Sequence, residues 1–134
     1  MGKVVHFEIP VDDIGRARKF YSSVFGWETE DVKGMPPGME YVMLHTTETD
    51  KKTRMPKEVG AINGGMMKRM PAVKSPVVTI DVDDIDKAIE NVTKSGGKLL
   101  MEKQKVMEMG WNAYVKDTEG NVIGVWQAIK KPNQ

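Results

Sequence analysis

Two stretches of the chain, residues 4–10 and 76–82, are short, rich in Val and Ile, and run directly into an Asp-Asp pair. Length and β-branched composition predict strands there. The pair supplies the side-chain oxygen acceptor favoured at a helix N-terminus. After Asp12-Asp13, apolar residues recur at spacings of three and four through Ile14, Ala17, Phe20, Tyr21 and Val24. After Asp83-Asp84 the same spacing carries Ile85, Ala88, Ile89 and Val92. Both runs read as amphipathic helices. Gly26 and Gly96-Gly97 stand where a left-handed residue ends a helix without a Cβ penalty. The period then falls to two, and strands are expected over 27–32, 39–46 and 59–67, and again over 98–103, 110–116 and 121–128. Turn chemistry separates them at Met35-Pro36-Pro37-Gly38 and Asp117-Thr118-Glu119-Gly120.

The two halves are copies of one plan. An offset of 71 residues lays Ile9, Val11, Asp12, Asp13, Ile14, Ala17 and Gly26 on Ile80, Val82, Asp83, Asp84, Ile85, Ala88 and Gly97. The expected unit is βαβββ, twice, an α+β fold in one domain, with module one at 1–68, a linker at 69–75 and module two at 76–129. Residues 47–58 are polar and without period and read as an exposed loop or lid; residues 130–134 read as a frayed tail.

Composition narrows the function classes. A chain of 134 residues with 40% apolar residues buries about two thirds of its unfolded surface and needs no disulfide or structural metal to fold. It has no cysteine, which removes thiolate catalysis and Cys-ligated zinc or iron–sulfur sites. The net charge is +1 and basic residues occur only in short mixed runs such as Lys51, Lys52 and Arg54, so no nucleic-acid or other electrostatic partner is expected. The opening MGKVVHFEIP lacks a signal-peptide core, His6 stands where a myristoylation motif needs Ser or Thr, and no run approaches the ~20 apolar residues of a membrane span. A cytoplasmic protein with no membrane partner is the expectation.

The tandem βαβββ pattern, opened by HFEIPVDDIGRARKFYSSVFGWE and closed by DTEGNVIGVWQ, resembles the vicinal oxygen chelate superfamily. That group holds glyoxalase I, methylmalonyl-CoA epimerase, extradiol dioxygenases and the bleomycin and fosfomycin resistance proteins. The chain is most similar to small stand-alone proteins related to lactoylglutathione lyase. The resemblance implies two modules forming a cupped mixed sheet with one helix outside each, and a homodimer. It also implies a metal ligand on the first and last strand of each module. His6 matches the first of these stations; Val77 stands at its counterpart, Gly124 at the Glu that follows the Asp-x-x-Gly turn, and Gly64 at the remaining place. Pro10 replaces the Arg that binds glutathione in glyoxalase I. With one ligand of four, no metal and no other cofactor is expected.

On a strand of period two, His6 and Glu8 share a face about 6.5–7 Å apart and are the candidate catalytic pair, through proton transfer or hydrogen bonding. The same two residues also suit buried polar groups satisfied by their neighbours. Tyr41, His45, Met66, Trp111, Tyr114 and Trp126 are candidate walls of a pocket for a small, partly apolar molecule, though aromatics at such positions also suit a core. The Asp-Asp pairs read as caps. The Gly60–Gly65 stretch lacks the order of a phosphate loop and reads as close backbone packing. The expected function is a metal-independent, glyoxalase-like binding protein, sequestering its ligand or acting on it through His6 and Glu8. Two alternatives are a metal-dependent lyase or isomerase with a relocated site of His6, Glu8 and His45, and a structural or regulatory subunit.

Overall fold

A computed structural model describes residues 2–129. Among them are two helices and eight strands: β1 (Lys3–Val11), α1 (Ile14–Phe25), β2 (Glu28–Asp31), β3 (Tyr41–His45), β4 (Gly64–Lys68), β5 (Val77–Asp81), α2 (Ile85–Lys94), β6 (Lys98–Val106), β7 (Gly110–Lys116) and β8 (Val122–Ala128). The class is α+β. The chain divides into two compact units, residues 6–76 and residues 2–5 with 77–129. The expected frayed tail lies outside the described residues.

Each unit has the same mixed sheet. In the first the order is β2-β3-β4-β1, with β1 parallel to β4 and the other neighbours antiparallel. In the second it is β6-β7-β8-β5, with β5 parallel to β8 and the others antiparallel. The second Asp of each pair is the cap: Asp13 accepts from the Arg16 N–H and Asp84 from the Lys87 N–H, satisfying donors that the first helical turn leaves unpaired. Gly26, at φ 73°, ends α1 and donates its N–H to the Ser22 carbonyl.

One face of each sheet packs on its helix. In the first unit Val11, Val42, Leu44 and Met66 are buried against Phe7, Ile9, Ile14, Ala17 and Trp27. In the second, Ile85, Ala113, Val115 and Val125 are buried against Val82, Ala88, Ile89, Val92, Leu99, Trp111 and Ile123. The strand expected over 59–67 begins only at Gly64. Upstream, Gly60 turns the chain at φ +88°, and the Ile62 carbonyl and Asn63 side chain accept from Thr46. Those groups are committed to a loop anchor and cannot extend the ladder.

Candidate functional site

Phe7, Ile9 and Val11 turn into the core under α1, so the period of two sends His6, Glu8 and Pro10 to the opposite face of the first unit's sheet, where Glu8 and Pro10 are buried and His6 is partly buried. β3 alternates likewise: Val42 and Leu44 go to the core, while Tyr41, Met43 and His45 face outward from it. β4 lies between these strands, which puts β1 and β3 about 9.5 Å apart. Tyr41 closes that distance. Its phenol oxygen is 2.8 Å from His6 Nε2, with the rings near-parallel at 6.5 Å.

The strand in between makes this possible. Gly65 is the register partner of both Glu8 and Met43, and a Cβ built on it would collide with the Tyr41 phenol. The phenol thus lies where the side chain of position 65 would project. Gly64 faces the other way: a Cβ there would stand 2.6 Å from the Phe7 ring and carbonyl. The station that the resemblance assigned to Gly64 therefore belongs to Gly65, one residue on. Sequence reasoning missed Gly65, and the signal that could have found it is the buried Met66, which must share a face with Gly64.

The electrostatics favour a neutral imidazole. Burial pushes the His6 pKa below its ordinary 6.5, and the nearby Glu8 carboxylate offsets this in part. A neutral ring has one donor and one acceptor nitrogen, and a phenol both donates and accepts, so the bond is satisfied in either tautomer. Glu8 is only 5% exposed. Together they place a proton acceptor, a phenol and a carboxylate on one face.

The structure separates the other candidates. Met66 is fully buried in the helix-side core, because it shares a face with Gly64 and not with Gly65. Trp111 also packs on the helix side, with Ala113 and Val115, and carries Lys103 over its ring at 4.9 Å. Neither side chain lies on the sheet face turned away from its helix. Tyr114 and Trp126 do lie on that face of the second unit, where Tyr114, itself buried, pairs with Gly124 and Trp126 with Asp81. Gly124 also pairs with Thr79, and a Cβ on it would come within 2.7 Å of the Thr79 hydroxyl.

His45 belongs to a different group. Its Nε2 is 3.0 Å from Glu30 Oε1 and its Nδ1 is 3.0 Å from the Thr49 hydroxyl. The Asn63 side-chain amide donates to that hydroxyl at 2.7 Å, and Asn63 in turn accepts from the Thr46 N–H at 2.9 Å. Both imidazole nitrogens are therefore engaged, Nε2 with Glu30 on neighbouring β2 and Nδ1 with Thr49 in the chain that follows β3.

The ion implied by the resemblance does not fit these donors. His6 Nε2 is held by the phenol, and Gly65, Gly124 and Val77 offer no ligand atom. Among the described residues no three His, Asp or Glu side chains are grouped to hold a metal, and a catalytic ion needs about three protein ligands. The relocated trio of His6, Glu8 and His45 is not assembled either.

Comparison with known proteins agrees with this architecture. A family model described as Glyoxalase/Bleomycin resistance protein/Dioxygenase superfamily matches residues 3–125. A glyoxylase-like domain-containing protein of Didymella fabae is 34% identical over 129 residues, covering 92% of each chain. A putative glyoxylase, CFP32, of Mycobacterium bovis is 28% identical over 121 residues, or 90% of this chain; the chain spans only 44% of that relative's length. The crystal structure of methylmalonyl-CoA epimerase from Mycobacterium tuberculosis superposes with a TM-score of 0.64 at 15% identity, covering 94% of this chain and 87% of that one. Among the described residues no helix is long and apolar enough to cross a membrane.

Proposed function

Because the chain belongs to the glyoxalase/bleomycin resistance protein/dioxygenase superfamily, we propose that it keeps the family scaffold but works without the catalytic ion. It binds a small, partly apolar molecule on the sheet face turned away from α1, with His6 and Glu8 as the acid–base or hydrogen-bonding pair and Tyr41 beside them. The observation that carries this reading is the 2.8 Å bond from His6 Nε2 to the Tyr41 phenol above Gly65. That bond occupies the nitrogen and the space a metal centre would need. Proton transfer by such a pair belongs to lyase or isomerase chemistry, while simple sequestration needs only the binding face. A homodimer in the cytoplasm completes the proposal, since β2 and β6 each have one unpaired edge within their own unit's sheet.

The test is metal analysis of the purified protein, with mass spectrometry of any small molecule that co-purifies. The ligand is expected to remain bound after exhaustive chelation and to raise the Tm equally with and without chelator. His6→Gln should abolish that rise. A ligand retained only with stoichiometric nickel, zinc or manganese overturns the proposal.

A further inference from the structure

Away from the His6–Tyr41 pair, β2, β3 and the chain that follows β3 bring four side chains into one hydrogen-bonded row. Glu30 Oε1 lies 3.0 Å from His45 Nε2, and His45 Nδ1 lies 3.0 Å from the Thr49 hydroxyl. A carboxylate only accepts, so in the neutral ring Nε2 carries the hydrogen and Nδ1 is left as the acceptor. The Thr49 hydroxyl donates to it; the other acceptor near that hydroxyl, the Thr47 carbonyl, is farther off at 3.4 Å. The same oxygen accepts from Asn63 Nδ2 at 2.7 Å. Asn63 is held in this sense because its Oδ1 accepts from the Thr46 N–H at 2.9 Å. Each bond in the row therefore has one direction, from Asn63 to Thr49, from Thr49 to His45 and from His45 to Glu30.

The row is fixed and reachable at once. Thr49 bridges to Pro56, and the Asp50 N–H donates to the Met55 carbonyl at 2.9 Å. Thr46 donates its hydroxyl to the Ile62 carbonyl at 2.7 Å, and Asn63 is only 8% exposed. Glu30, His45 and Thr49 line an open groove of about 1120 Å³, which admits a small molecule to the hydroxyl. The groove's walls carry Lys51, Lys52 and Arg54 against Glu28, Glu30 and Asp50, with Lys57 paired to Glu48 at 2.9 Å, so no net charge selects an ionic ligand.

We propose that Thr49, His45 and Glu30 form a second reactive site, which takes the acyl group of a small uncharged carboxylic ester or thioester. A hydroxyl bonded to a base that a third group orients is the arrangement of an activated nucleophile. Thr49 Oγ1 attacks the acyl carbon while its proton passes to His45 Nδ1. The tetrahedral adduct then collapses, the alcohol or thiol leaves with that proton, and the acyl group stays on Oγ1. Water enters by the same route and releases the carboxylic acid. Glu30 is a positioning residue, which fixes the tautomer and offsets the charge of the imidazolium. Asn63 Nδ2 has a second hydrogen beside the reacting oxygen, a donor for the charge that develops on the adduct. This site shares no residue with the His6–Tyr41 pair and does not rest on the function proposed above.

The test is acetylation of the full chain by p-nitrophenyl acetate, followed by nitrophenolate release and peptide mass spectrometry. A burst of about one equivalent is expected, with an acetyl group on Thr49 and slow turnover after it. Thr49→Val should abolish burst and adduct, and Thr49→Ser, which keeps the hydroxyl, should retain both. His45→Gln should slow acetylation about a hundredfold or more. Glu30→Gln should slow it severalfold, since that pair is exposed, and should move the pH–rate profile to lower pH, because the carboxylate raises the proton affinity of the ring. A row that only anchored the loop would leave the profile unmoved. Absence of a Thr49 adduct in the wild-type chain, acetyl groups on lysines alone, or a wild-type rate in His45→Gln overturns the proposal. Its failure leaves the His6–Tyr41 reading standing, because that reading is tested by ligand retention under chelation.

Discussion

The two units share strand order, pairing directions and Asp-capped helices, yet the sheet faces turned away from those helices differ. In the first, β1 contributes His6 and Glu8, and β3 sends Tyr41 across Gly65 to the imidazole. In the second, the matching strand offers Val77 and Thr79, and Gly124 lies against the Thr79 hydroxyl. Both last strands carry a glycine on the face turned away from the helix, but only Gly65 lies under an ionisable pair. The helix-side cores are both apolar; the opposite faces differ in their polar groups. Duplication supplied two equivalent scaffolds, and the polar chemistry collected on one of them.

That contrast can be attacked in order of effect. Leu44 and Ile85 are the largest fully buried aliphatic residues of the respective cores, at 0% and 1% exposure, so Leu44→Ala and Ile85→Ala should each cost about 2–5 kcal/mol in urea unfolding. Similar losses would show that the cores are equivalent; a loss below about 1 kcal/mol in either breaks the equivalence.

Next, Gly65→Ala should cost about 1–3 kcal/mol through the clash with Tyr41 and should remove the His6–phenol coupling from the imidazole NMR signals. Tyr41→Ala in the same chain should recover part of that loss, a coupling that a double-mutant cycle reads directly. Gly124→Ala should cost less, because its clash is with one rotatable hydroxyl. Additivity in the Gly65–Tyr41 cycle would refute the stacking of phenol over glycine.

The caps come third. Asp13→Ala and Asp84→Ala should each lower stability by about 1 kcal/mol, and equally, since both carboxylates make the same bond to the third residue beyond.

The smallest effect is a pH dependence. The His6 pKa is lowered in the folded chain, while the unfolded chain titrates near 6.5. As pH falls through that value the unfolded chain takes up the proton first, so stability present above it declines. The Tm should drop between about pH 7.5 and 5.5, and drop less in His6→Gln. Asp50 and Asp117, whose pKa values are lowered by backbone hydrogen bonds, affect stability only in more acid solution. An identical slope in His6→Gln would show that the imidazole is not responsible.

Most of the scaffold was legible in the sequence because it is local. Capping aspartates, helical spacing and the offset of 71 residues each need only neighbouring positions. His6 and Glu8 fell on one face for the same reason. What was not legible depends on pairing between strands. Matching Gly60–Gly64 to Gly120–Gly124 assumed equal approaches to the last strand, whereas residues 60–63 belong to a loop anchor and β4 starts at Gly64. A slip of one residue turns every side chain to the opposite face, which is why Met66 lies in the helix-side core and Gly65, not Gly64, lies under Tyr41. Trp111 was misplaced because its parity is set by Ala113 and Val115 under α2.

The reach of Tyr41 over Gly65 has one more consequence. The imidazole and its phenol hang from strands that never touch, so their separation reports the twist and stagger of the ribbon between them. A substitution that flattens or shears β4 is expected to change the His6–Tyr41 distance while leaving both side chains chemically intact. The pair works as a gauge built into the sheet, and the nitrogen resonances of a single ring are its dial.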